Sequence, residues 1–145
     1  MMDRRSFVQN ACLACISATA FPALLASCTS TRYVGGTIDG DDLVIPFSTF
    51  LDEQGKPRPH VIVTQEKLKQ PIALFRAPEG SYEAVLMSCT HRNADLQVVG
   101  ERLECAAHGS VFASTGAVIE GPASTPLRKF AVVEREGLIR ISLRA

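Results

Sequence analysis

Two cysteine–histidine pairs constrain this chain more than any other feature: Cys89-Thr90-His91 and Cys105-Ala106-Ala107-His108, with thirteen residues between them. Such a pair occurs by chance once, but two in order bind the fold. The interval from Arg92 to Glu104 contains "DLQVVGERLE", which reads as a strand and its return. The pairs then fall in two loops lying side by side at the tip of a hairpin.

Thiolates suit soft and borderline metals, and imidazoles suit iron and zinc. One zinc ion would take all four side chains in a tetrahedron. A two-iron, two-sulfide cluster would give both thiolates to one iron and both imidazoles to the other. Unliganded structural residues are the third reading. The remaining histidine, His60, opens an apolar run and reads as an ordinary strand residue.

From Asp42 onward short alternating runs are broken by turn residues. "DLVIPF" at 42–47, "HVIVTQ" at 60–65, "PIALFRA" at 71–77 and "YEAVLMS" at 82–88 each suit a strand. "EQGKPRP" at 53–59 and "APEGS" at 77–81 supply turns. "FAVVERE" and "GLIRISL" follow as two strands joined around Glu136-Gly137. Outside the first thirty residues no window keeps a helical period over three turns. The expectation is an all-β domain, a small antiparallel sandwich or barrel. Fifteen basic residues balance fifteen acidic ones, so nucleic acid has no electrostatic claim on the chain.

The N-terminal stretch "MMDRRSFVQNACLACISATAFPALLASC" is expected to be an address. Arg4-Arg5 precedes Ser6, Phe7 and Val8, then a mildly apolar run from Ala11 to Ala26. Sixteen helical residues reach about 24 Å, short of a hydrocarbon core of roughly 30 Å, so the run reads as an export signal. "DRRSFV" resembles the twin-arginine signal, and Leu25-Ala26-Ser27-Cys28 resembles a bacterial lipobox. The expected organisation is a signal peptide at 1–27, a lipidated tether at 28–41 and the folded domain at 42–145. Lipidated Cys28 would hold the domain at the periplasmic face of a bacterial membrane.

The motif region resembles the Rieske [2Fe-2S] family. "CTH" followed by "CAAHGSVFASTGAVIEGPASTPLRKF" is similar to its two cluster-binding loops and the proline-containing loop after them. The shared positions include Gly109-Ser110, Gly116, Gly121-Pro122-Ala123 and Leu127. The resemblance implies a Rieske-type β-sandwich with a small cluster-binding subdomain formed by two loops. It implies one [2Fe-2S] cluster, Cys89 and Cys105 on one iron and His91 and His108 on the other. Ser110 would donate its hydroxyl to a bridging sulfide, and Gly121-Pro122-Ala123 would cover the cluster. Phe112 stands where high-potential members often carry a tyrosine. The extra cysteines that brace the loops of quinol-oxidising members are replaced, approximately, by Ala94 and Ala106.

The function expected from these features is a membrane-tethered single-electron carrier between a redox protein donor and acceptor. No small-molecule substrate pocket and no catalytic residue of its own are expected. The alternative is a Rieske subunit of a quinol:cytochrome c oxidoreductase or of another periplasmic oxidoreductase complex.

Overall fold

A computed structural model describes residues 31–144; the expected signal peptide and Cys28 lie outside the described residues. The chain runs through β1 (Tyr33–Gly35), β2 (Thr37–Asp39) and β3 (Asp42–Pro46), then a single 3-10 turn at Phe47–Phe50. Next come β4 (His60–Thr64), β5 (Ile72–Arg76) and β6 (Tyr82–Leu86). The motif region holds β7 (Gln97–Val99), β8 (Arg102–Glu104), β9 (Val111–Ala113) and β10 (Val118–Glu120). The chain closes with β11 (Lys129–Phe130), β12 (Val132–Arg135) and β13 (Leu138–Ser142).

The described residues form three sheets: β1-β4-β5-β6-β11, β10-β9-β8-β7 and β12-β13-β3-β2. The first is the middle layer. One of its faces, with Val61, Val63, Ile72, Leu74 and Ala84, packs against Leu43, Ile45, Ile139 and Ile141 of the β12-β13-β3-β2 sheet. The other, with Ile62, Ala73, Phe75 and Val85, packs against Leu103 and Phe112 of the motif-region sheet. β4 and β5 are therefore buried on both faces, which is why "HVIVT" and "IALFR" read as near-continuous apolar runs. β3 and β13 bury one face and alternate, as expected of outer strands.

The tether expected at 28–41 is corrected in its second half. Tyr33–Gly35 pairs in parallel with Ile62–Thr64, and Thr37–Asp39 pairs antiparallel with Asp42–Val44. The chain changes sheets at Gly36, where a Cβ would stand 2.5 Å from Leu43 Cδ1 and 3.1 Å from Val63 Cγ1. Any side chain there would have to displace the buried Leu43 and Val63 side chains, so glycine suits this close passage. The two strands are three residues each, too short to show a period, so their Gly, Thr and Asp content read as linker.

His60 lies at the start of β4, 7% exposed, with its ring 5.8 Å from that of Phe75. Neither ring nitrogen has a hydrogen-bond partner among the protein atoms. Burial pushes its pKa below the ordinary 6.5. The folded state thus resists protonation while the unfolded chain accepts it. Stability is full above about pH 6.5 and falls as the pH drops from there toward the lowered folded value. Replacing His60 by Leu removes the buried nitrogens, whose desolvation costs about 1–3 kcal/mol. Urea denaturation at pH 7 and pH 5 is expected to show a smaller loss between the two for His60→Leu than for the wild type; equal losses would contradict the assignment.

Candidate functional site

The candidate residues lie in two short loops, each closed by its own backbone. Loop one, residues 89–95, follows β6. The Asn93 N–H donates to the Cys89 carbonyl at 2.7 Å, and the Cys89 N–H to the Ala94 carbonyl at 2.8 Å. A bridge between Ser88 and Asp95 closes its base. Loop two, residues 105–110, follows β8. The Gly109 N–H donates to the Cys105 carbonyl and the Cys105 N–H to the Ser110 carbonyl, both at 2.9 Å. Between the loops runs the expected hairpin, β7 paired with β8.

Cysteines and histidines separate by depth. Cys89 and Cys105 are 1% and 2% exposed, carry free thiols, and belong to the same apolar cluster as Phe75, Val85, Leu103 and Phe112. His91 is half-buried and His108 exposed; their rings meet edge to face with centroids 4.9 Å apart. Sulfur therefore lies at the inner end of the site and imidazole at the outer end. The Nδ1 atom of His91 is buried with no hydrogen-bond partner among the protein atoms.

The electrostatics favour charge on sulfur. Burial acts to raise the Cys89 thiol, but the N–H groups of His91 and Arg92, with the Cys105 thiol and the Ser110 hydroxyl, outweigh it. The pKa of Cys89 ends below that of a free thiol, whose thiolate is the metal-binding form. Ser110 is fully buried, and its Oγ accepts the Ala123 N–H at 3.0 Å. Its own proton remains to be donated toward sulfur.

A third segment, residues 121–127 between β10 and β11, lies over both loops, with Ala123 and Leu127 buried. The Gly121–Pro122 peptide is cis. Thr90, between Cys89 and His91, donates its hydroxyl to the Thr125 carbonyl at 2.7 Å. Reading the sequence missed this bond, because its acceptor is a backbone carbonyl that no residue type marks. It also missed β9 and β10, although "VFASTGAVIE" has the strand–turn–strand pattern once the ligand motif is set aside.

Four donors in this arrangement fit a two-metal group better than one ion. Among the described residues no three Cys, His, Asp or Glu side chains are grouped to hold a single metal ion. A dinuclear cluster asks for a sulfur end, a nitrogen end, buried hydrogen-bond donors and an unpartnered imidazole nitrogen, and all of these are present.

The chain belongs to the Rieske [2Fe-2S] family, whose domain model matches residues 48–131. It is 39% identical over 84 residues to the oxygenase component of dicamba O-demethylase from Stenotrophomonas maltophilia, covering 51% of this chain and 25% of that one. It is 32% identical over 83 residues to the iron-sulfur subunit of the toluene-4-sulfonate monooxygenase system of Comamonas testosteroni, covering 51% and 24%. The chain thus spans about a quarter of the length of these curated relatives. Among solved structures it is similar to the plasma membrane Rieske protein of Synechocystis PCC 6803, with a TM-score of 0.51 and 25% identity over 58% of this chain and 86% of that one. It shares the fold of a chain in the oxygenase–ferredoxin complex of carbazole 1,9a-dioxygenase, with a TM-score of 0.55 and 23% identity over 72% and 95%. The all-β Rieske fold, its [2Fe-2S] cofactor and a role in electron transfer follow from this membership.

Gly116 ties the third segment to the middle sheet. It has φ +85°, and its carbonyl accepts the Leu127 N–H at 2.9 Å. A Cβ there would stand 3.2 Å from Val85 Cγ1 and 3.4 Å from the Leu127 carbonyl oxygen. Gly116→Ala is expected to cost about 1–2 kcal/mol from the left-handed backbone alone. A lowered urea midpoint with unchanged slope is the expected reading.

Proposed function

We propose that this protein is an exported, lipid-anchored single-electron carrier in which Cys89 and Cys105 hold one iron and His91 and His108 the other. The observation that carries the assignment is the depth ordering of the four side chains, thiols in the apolar floor and imidazoles at the surface. Two neutral imidazoles in place of two thiolates give the bound cluster a less negative charge, and so a higher potential than an all-cysteine cluster. Buried donors around sulfur raise it further. Ser110 supplies such a donor, while the buried ring of Phe112 cannot. The exposed face of His108 and the outer edge of His91 form the surface at which a redox partner would dock and an electron would pass.

The leader supports export, and the Leu25-Ala26-Ser27-Cys28 motif supports lipid anchoring at the periplasmic face of a bacterial membrane. Absence of extra cysteines in either loop supports a carrier over a quinol-oxidising subunit, since Cys89 and Cys105 are the free thiols of the described residues. Membership of a larger periplasmic oxidoreductase complex is the competing reading; purification with a stoichiometric partner subunit would establish it in place of the free carrier.

Electron paramagnetic resonance of the dithionite-reduced protein is expected to show a two-iron signal with imidazole nitrogen coupling; purified protein holding zinc and no iron would overturn the assignment. The midpoint potential is expected to lie below that of quinol-oxidising Rieske proteins and above that of all-cysteine ferredoxins. Ser110→Ala should lower it by removing a donor to sulfur, measured by protein-film voltammetry. Replacing Cys28 by Ala should move the protein from the membrane to the soluble fraction of the cell envelope.

A further inference from the structure

Hydrogen bonding at the cluster end shows a division of labour. Among the described residues, the backbone hydrogen bonds of loop one and of loop two each close within their own loop or its base. Direct contact between the loops is made by the candidate ligand side chains and Ser110: the Cys89 sulfur meets the Cys105 thiol and the Ser110 hydroxyl, and the His91 and His108 rings meet edge to face with centroids 4.9 Å apart. Those contacts change when sulfur and imidazole are given to iron. What remains is the third segment, which takes one bond from each loop: the Thr90 hydroxyl to the Thr125 carbonyl, and the Ala123 N–H to Ser110 Oγ. It is anchored in turn by the Leu127 N–H on the Gly116 carbonyl and by the buried Ala123 and Leu127 side chains.

We infer that residues 121–127 are a non-covalent cross-brace between the two ligand loops, and that Thr90 is the positioning residue through which loop one engages it. This rests on the assignment of Cys89 and His91 as ligands. Thr90 lies between them in sequence, one bound at the sulfur end and the other at the nitrogen end. Pinning its side chain to Thr125 sets the path of the backbone that presents both. Ser110 serves the same brace from loop two but also faces sulfur, so its substitution alters the electronic environment as well as the mechanical one. The Thr90 hydroxyl is directed to a carbonyl. Its role is holding geometry, with no share in tuning charge.

The two roles are separable by experiment on the full chain carrying its cluster. Release of the cluster to an iron chelator is followed by loss of visible absorbance in wild type, Thr90→Val, Thr90→Ser and Ser110→Ala proteins. Thr90→Val is expected to release its cluster roughly threefold to tenfold faster, the range set by one neutral hydrogen bond. Its midpoint potential and paramagnetic signature should stay at wild-type values, whereas Ser110→Ala shifts the potential. Thr90→Ser, which keeps the hydroxyl, should restore slow release. Thr90→Ala repeats the comparison if the valine variant fails to load. Wild-type release in a loaded Thr90→Val or Thr90→Ala protein, or fast release in Thr90→Ser, overturns the brace. An intact two-iron signal in those same samples would leave the ligand assignment standing, so the two failures are distinguishable.

Discussion

Burial of one sheet on both of its faces is the constraint from which the rest follows. Each large apolar side chain on β4, β5 and β6 contributes about 1.5–3 kcal/mol when it leaves water. One face is used by the β-sandwich and the other by the sheet that carries the ligand loops. The ligand loops are thus seated on the core and not appended to it. Ile62, Ala73, Phe75 and Val85 form their floor, and both cysteines are members of that apolar cluster.

Seating the thiols in a dry floor has a chemical consequence. A thiolate is costly to bury unless donors and positive charge meet it, so the site supplies N–H groups and a hydroxyl in advance. The imidazoles, which are neutral when they bind metal, tolerate the surface and can face a partner. Depth and charge are therefore matched: the anionic end is enclosed and wired with donors, while the neutral end is presented outward. Such polarity suits the electron-transfer role proposed for the site, with the imidazole end as the side nearer a partner.

Much of the architecture was legible beforehand, for a local reason. β3, β4, β5, β6, β12 and β13 coincide within a residue or two with apolar runs bounded by turn residues. The candidate ligand pairs stand out in the sequence because the chemistry proposed for them is written in residue type and spacing. β1 and β2 do not, since three-residue strands carry no period and their pairing partners lie far off in sequence. His60 looked like any strand residue; only the packing of Phe75 against it shows an imidazole shut away without a partner.

By itself the sequence determined the alternation of most strands, the four candidate metal-binding side chains, their order, and the two loops that hold them. Those are properties of neighbours along the chain, where dihedral preference and donor chemistry act within a few residues. Tertiary structure decided which face of each strand is covered, that the thiols lie deep and the imidazoles shallow, and that Thr90 reaches Thr125. Such outcomes depend on layers brought together from distant segments, and packing distance, unlike residue type, is not written in any one of them.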